Sequence, residues 1–300
     1  MSRTDFLAHA PQYSTTGDLL AAAARRRGME VEVLPTRGGA GGLRGRQGGH
    51  YFGGPLFAAG IADELEVALL EPTDDWLTSL PHEYTLRNVV SSTLSEARRL
   101  TRPAFVKPPS DKSFPAAVHT DGSTLPRTTD LPSDTPVQIS DVVTWAREFR
   151  LFVLDGECRA GSQYAVFGRM DSAPLHGHPD EEVVREFANN LLAAHGRTLP
   201  SAVALDVGLL SASDGGTSGW AVVEANMAWF ANCYASDPDQ ALDVVLRAAG
   251  PRSRLTARDR GFCRHLKDAW ASQPRIDSSQ PESSSLFATR AVNDNGMPSC

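Results

Sequence analysis

The chain has 300 residues, of which 41% are hydrophobic and 22% charged, with a formal net charge of −7. That length can bury a sizeable core in one large domain or two modest ones, and the acidic balance argues against nucleic acid, whose phosphates need a basic surface. No apolar run approaches the ~20 residues that span a bilayer, and Cys158, Cys233, Cys263 and Cys300 form no Cys-x-x-Cys pair. Reduced thiols in a cytoplasm are therefore expected, with no membrane partner. The start Met1–Phe6 lacks the apolar core of a signal peptide.

In chain order, the first segment reads strand–helix–strand. Phe6–His9 is a short apolar strand. Thr15 with Asp18 three residues later predicts a capping box and a helix that collects Arg25–Arg27 and stops at Gly28. Met29–Leu34 alternates as a strand. No Gly-x-Gly-x-x-Gly follows the first strand, so this βαβ-like start does not predict a dinucleotide site. Residues 36–54 hold nine glycines with Arg37, Arg44 and Arg46 but no phosphate-loop signature, and read as a loop or a substrate flap. The segment 54–70 mixes helix and strand signals, Thr73 starts a helix, and Tyr84–Leu100 reads as a longer helix with Leu86, Val89, Val90, Leu94 and Ala97 on one stripe.

Ala104–Pro108 is a strand ending at Lys107, followed by a polar loop. Val137–Val143 is apolar, and Glu148–Gly156 alternates and ends in the hairpin signal Asp155-Gly156, with Arg159–Phe167 returning. Pro179–His195 is a helix burying Val183, Val184, Phe187, Leu191 and Leu192, and His176-Gly-His178 before it is a loop rather than a metal site. Val203–Leu209 and Trp220–Asn226 are strands joined by turn formers. Paired about Gly215, they put Asp206 opposite Glu224. Helices follow over Pro238–Ala249 and Phe262–Trp270, then a disordered tail over residues 271–300. The division expected is residues 1–100, 101–270 and 271–300.

The strand Trp220–Asn226 carries the chemistry. Alternation puts Val222, Glu224 and Asn226 on one face, where a carboxylate and an amide two residues apart can reach one hard cation. Lys107 can hold phosphate oxygens as a point charge. Glu148 can accept ribose hydroxyls, and Asp206, Glu224 and Asn226 can hold Mg²⁺. Bland alternatives stand beside these. Lys107 can be a solvated strand end, and Glu148 with Arg150 a surface pair worth under ~1 kcal/mol. Glu224, inside Val-Val-Glu-Ala-Asn, resists such a reading, because a buried carboxylate needs a partner or a metal. Trp229, Phe230 and Tyr234 read as core or pocket wall, and Trp145 as hinge packing.

The order Phe105-Val-Lys-Pro108, Val143–Arg150, Asp206 and Val223-Glu-Ala-Asn226 resembles the ATP-grasp superfamily, and more closely the small bacterial proteins with a compact ATP-grasp domain. There a segment like Tyr51–Gly54 precedes one like Asp75–Pro81, and an Arg such as Arg87 precedes the Val-Lys-Pro strand. The likeness spans roughly residues 48–250. It implies an α/β chain of two α+β lobes gripping ATP behind the βαβ-like N-terminal domain.

It also implies roles. Lys107 would contact the α/β-phosphates under a mobile loop Ser110–Ser113, with Lys112 a second charge. Gln138–Val143, with Val142 and Val143, would be the hinge whose backbone reads adenine, and Glu148 would bind ribose. Asp206, Glu224 and Asn226 would ligate two Mg²⁺ ions. Ligases of this kind often carry an Arg shortly before that Asp, where this chain has Ala204-Leu205, so Arg150, on the side of Glu148, is the candidate that stabilises the transferring phosphoryl. The implied activity joins a small-molecule or peptide carboxylate to an amine at the expense of ATP. A phosphotransferase or a non-catalytic ATP-binding module would use the same site. Where ligases of this kind carry Pro-Gly after the Asn, this chain has Met227-Ala-Trp-Phe, so the acceptor stays open.

Overall fold

The computed structural model describes residues 5–11, 14–35, 39–110, 113–211 and 219–264. The chain opens with β1 (Phe6–His9), α1 (Thr15–Arg26), β2 (Glu30–Val33) and β3 (Gly49–Phe52), which form a parallel sheet ordered β2-β1-β3. The cap of α1 sits one residue before the expected one. Ser14 is extended at φ −135 and ψ 138, and its hydroxyl accepts from the Gly17 amide at 3.1 Å. The described residues of the glycine-rich stretch contribute β3, and Arg44 pairs with Glu64 at 2.6 Å while Arg46 pairs with Glu30. Arg37 lies outside the described residues. α2 (Pro55–Ile61) and β4 (Val67–Leu69) follow.

The long helix expected over Tyr84–Leu100 does not form. The chain instead makes α3 (Trp76–Ser79), α4 (His82–Thr85), a left-handed turn at Leu86 (φ 48), β5 (Val89–Thr93) and α5 (Leu94–Ala97). The run Val89-Val90-Ser91-Ser92-Thr93 is β-prone, and it pairs antiparallel with β8 (Pro136–Ser140). The helical stripe was therefore coincidental, and Val90 is exposed. Thr93 and Glu96 complete a capping box on α5. With β6 (Ala104–Lys107) and β7 (Ala117–His119) these strands make a four-stranded sheet, β5-β8-β6-β7.

The largest sheet has five strands, ordered β11-β10-β9-β12-β13, from β9 (Thr144–Leu154), β10 (Glu157–Val166), β11 (Arg169–Pro174), β12 (Ala202–Ser211) and β13 (Trp220–Asn226). Asp155 (φ 53) and Gly156 (φ 86) both take positive φ, as the predicted two-residue hairpin requires. Phe167 and Gly168 repeat that turn and create β11, a strand unrecognised in the sequence because it is almost wholly exposed and does not alternate. The turn between β12 and β13, including Gly215, lies outside the described residues.

One face of this sheet packs on α6 (Glu181–His195) through Phe149, Leu151, Val203, Leu205 and Val222. Val183 turns out exposed, because at helical spacing the inward row is Val184, Ala188, Leu191 and Leu192. The other face is divided. Phe152, Ala202 and Ala204 join the cluster beneath the N-terminal sheet and α7 (Pro238–Ala248), and the rest stays polar. The chain then forms β14 (Ala249–Pro251) on β4. Phe262, the expected start of a helix, instead closes a short turn, Asp259–Phe262, and Cys263 bridges to Leu70, while residues 265–270 of that expected helix lie outside the described residues. From residue 265 the chain, including the expected tail, lies outside the described residues. Among the described residues no helix is long and apolar enough to cross a membrane.

Trp229 is fully buried where these layers meet, and its indole donates to the Leu70 carbonyl at 3.0 Å. Trp229→Ala should cost about 3–5 kcal/mol, read as a lower urea midpoint with an unchanged m-value.

Candidate active site

The sequence places Glu148, Arg150, Asp206, Glu224 and Asn226 on three strands, and the sheet brings them together. β9 pairs with β12 so that Arg150 faces Asp206, and β12 pairs with β13 so that Asp206 faces Glu224. Arg150 grips Asp206 through two bonds, Nε to Oδ1 at 2.8 Å and Nη2 to Oδ2 at 2.7 Å. Asp206 is 1% exposed. Burial works against both charges: the fork-to-fork pair with Asp206 outweighs it at Arg150, while at Asp206 burial leaves the carboxyl above its ordinary range although Arg150 opposes this. The Asn226 amide donates to Glu224 Oε1 at 2.8 Å and to Asp206 Oδ2 at 3.3 Å. Lys107, at the end of β6 on the smaller sheet, closes the group with an ion pair to Glu224. Burial pushes the Glu224 carboxyl up, but Lys107, Asn226 and Arg150 outweigh it and hold the group at about 2.

Strict alternation fails at one point. Asp206 pairs with Glu224 but Val207 pairs with Val222, so Val223 is an inserted residue, a bulge. Val222 and Ala225 therefore face the apolar cluster to which α3 and α6 contribute, while Glu224 and Asn226 turn to the polar face. The expectation that Val222 shares the face of Glu224 is corrected by this shift.

Glu148 accepts from the Tyr164 hydroxyl at 2.8 Å. Burial raises its carboxyl to about 7; the Tyr164 bond opposes this and the charges of Asp206 and Glu224 reinforce it. The ionised form accepts from the two hydroxyls of a ribose with both oxygens and more strongly, whereas protonation turns one oxygen into a donor. ADP affinity should accordingly rise about tenfold between pH 6 and 8, with proton release on binding, and Glu148→Gln should remove the dependence. Calorimetry in two buffers of different ionisation enthalpy checks both. Ionising Glu148 costs the ligand-free fold stability as the pH climbs from 4.5 through about 7.

Tyr164 escaped the sequence reading of the site, and Tyr234 was read only as core or pocket wall. Their rings stack at 5.1 Å and 16°, and the Arg150 guanidinium lies 5.8 Å and 5.3 Å from the two centroids. Their spacing from Glu148 carries no local signal, since the hairpin β9–β10 and the loop after β13 bring them in.

Between the sheets is a cleft of about 420 Å³, solvent at its mouth included. Lys107, Ser110 and Gln138 line one wall, Glu224, Asn226 and Met227 a second, and the segment Glu71–Leu77 a third. Gln138 belongs to this wall rather than to the hinge. β8 runs between β5 and β6, so its backbone is spent on the ladder, and the Gln138 amide donates to the Asp74 carbonyl at 2.7 Å. The link between the sheets is Asp141–Val143, with Val142 exposed and Val143 partly so. Ser113 is exposed on the loop after β6, and Lys112 lies outside the described residues.

Among the described residues no three His, Cys, Asp or Glu side chains are grouped to hold a metal. The candidate set is two carboxylates and an amide. Each can offer an oxygen, Asn226 once its amide turns over from donating to the two carboxylates, which fits a hard ion such as Mg²⁺ that keeps water and phosphate in its remaining positions.

Two sheets facing across a cleft, with a lysine on one and an acidic edge on the other, are the arrangement of an ATP-grasp protein, and the chain belongs to that superfamily. Within it, the family matched is an ATP-grasp domain family, the second of its clade, over residues 84–244. A comparison with curated proteins gives no match. Similar solved structures include a RimK domain ATP-grasp protein from Sphaerobacter thermophilus DSM 20745, at 15% identity and a TM-score of 0.49, covering 80% of this chain and 99% of that one. D-alanine–D-alanine ligase from Bacillus anthracis is 14% identical with a TM-score of 0.43, covering 81% of this chain and 98% of that one. The ATP-grasp ligase PsnB, complexed with precursor peptide PsnA2 and AMPPNP, is 13% identical with a TM-score of 0.42, covering 81% and 97%.

Proposed function

We propose that this protein is an ATP-dependent ligase that activates a carboxylate as an acylphosphate and joins it to an amine, acting in the cytoplasm. The observation that carries the reading is the convergence of Asp206, Glu224 and Asn226 with Lys107 and Arg150 on one face. Residues 101–270 would form the nucleotide-binding part, behind an N-terminal part over residues 1–100.

Asp206, Glu224 and Asn226 would hold Mg²⁺, and the metal would supply charge neutralisation at the phosphates. Everything else is positioning. Lys107 binds phosphate oxygens as a point charge. Glu148 accepts the ribose hydroxyls, and the Asp141–Val143 backbone meets adenine. Arg150, aligned by Asp206 and flanked by Tyr164 and Tyr234, stabilises charge on the transferring phosphoryl. A substrate carboxylate oxygen attacks the γ-phosphorus and ADP leaves. The amine nitrogen then attacks the acyl carbon, phosphate departs with its oxygen, and the amine loses a proton to give the amide. No protein nucleophile is needed.

The experiment is a screen for ADP release that requires both a carboxylate and an amine, small-molecule or peptide. Amide formation in step with ADP supports the reading. A phosphorylated product with no amide would replace the ligase by a phosphotransferase, and full turnover by Glu224→Ala would remove the metal edge from the mechanism.

A further inference from the structure

The bulge that turns Glu224 onto the polar face is held from behind. Val223 has no partner on β12, and without it Glu224 would share the face of Val222, pointing into the apolar layer under α6. Asp206 would then face no second carboxylate. A bulge leaves carbonyls that the ladder does not use, and such groups need a donor when buried.

Arg87 supplies it. This residue is 8% exposed and follows the left-handed Leu86. Its Nη1 donates to the Val222 carbonyl at 2.7 Å and its Nη2 to the Val223 carbonyl at 3.0 Å, so one planar group spans the inserted peptide. Nη1 also donates to the Thr85 carbonyl at 3.0 Å, which fixes the guanidinium to its own turn. The guanidinium carbon lies 5.0 Å from the centre of the Trp145 ring. Among the described residues no carboxylate pairs with Arg87, and burial lowers its pKa to about 10. A desolvated cation whose hydrogen bonds all go to carbonyls, with the carboxylates of Glu224, Asp141 and Glu148 acting on it only through space, is a poor way to gain stability. It is a good way to fix one backbone geometry.

We propose that Arg87 is a positioning residue of the metal edge, clamping the Val222–Val223 bulge so that Glu224 stays opposite Asp206. The proposal rests on the nucleotide reading of that face. Lysine cannot replace arginine here, because a single ammonium on a flexible stem neither bridges two carbonyls in one plane nor stacks on an indole.

The test compares the full chain with Arg87→Lys and Arg87→Met. Three quantities are measured: amide hydrogen exchange without metal, Mn²⁺ affinity with ADP by electron paramagnetic resonance, and ADP affinity without metal. The expected result is faster exchange confined to residues 222–225, a loss of Mn²⁺ affinity of about 10- to 100-fold in both variants, and unchanged metal-free ADP affinity. Unchanged Mn²⁺ affinity, or exchange that quickens evenly over the whole five-stranded sheet, overturns the proposal. Where Arg87→Met fails to fold, Arg87→Lys keeps the charge and decides alone. A native chain that binds no Mn²⁺ with ADP would overturn the nucleotide reading instead, and the metal-free exchange pattern would still decide the clamp.

Discussion

A Glu224→Gln protein should fold and yet lose metal-dependent ATP turnover by at least about 10³-fold. Glutamine matches the shape of glutamate but removes the charge that draws a divalent ion, and a metal's stabilisation of a transferring phosphoryl is worth several kcal/mol. The fold should tolerate the change, because Glu224 is only half-buried and Lys107 keeps an oxygen to donate to. A loss of about 1–3 kcal/mol covers the weakened charged hydrogen bond. The pH dependence gives a second signature. The folded pKa of Glu224, about 2, lies below its ordinary 4.5, so its stabilisation is fully present above pH 4.5 and is lost as the pH falls towards 2. Glu224→Gln should flatten acid unfolding in that window. Turnover is read by ADP release and stability by urea unfolding at several pH values. Retained turnover would sink the assignment of Glu224 as a metal ligand.

Arg150→Met should destabilise the protein by about 3–5 kcal/mol, because it strands Asp206 as a buried carboxylate with no cation in contact. Methionine fills the space between the sheet and the Tyr164–Tyr234 stack but supplies no charge. Millimolar Mg²⁺ should return part of the loss, since an ion bound only by the folded protein stabilises it by mass action. The same variant should release no ADP even where Mg²⁺ restores its stability, because the charge that Arg150 would set against the phosphoryl is gone. Urea unfolding with and without Mg²⁺ checks the first statement and the ADP assay the second. A loss below about 1 kcal/mol would mean that the Arg150–Asp206 pair behaves like a solvated surface pair.

The two arginines divide the site between them. Arg150 works from the front, through its side-chain pair with Asp206, and Arg87 from behind, through the backbone of β13. The first could be suspected from its place on an alternating strand beside Glu148, and the second only as the arginine that precedes the Val-Lys-Pro strand in the resemblance.

What the sequence determined by itself was local. Pairing Val203–Leu209 with Trp220–Asn226 about Gly215 was enough to place Asp206 across from Glu224, because the centre of a hairpin fixes which residues face each other. Asp155-Gly156 declared its hairpin, since few residue pairs accept two positive φ angles. The caps and stops of α1, α6 and α7 were legible to within a residue or two for the same reason: each is a short-range interaction between neighbours.

The tertiary structure decided whatever depended on residues far apart in the chain. Val89–Thr93 became a strand rather than a helix because β8 was there to pair with it. Gln138 turned into the cleft because both neighbours of β8 took up its backbone bonds. Tyr164 and Tyr234 met over Arg150 only once β10 and the loop after β13 were packed together. The face of Glu224 itself rested on one inserted residue and on an arginine far back in the chain. Alternation predicts where a carboxylate points only while the ladder is regular, and here the ladder is broken at the residue beside the site.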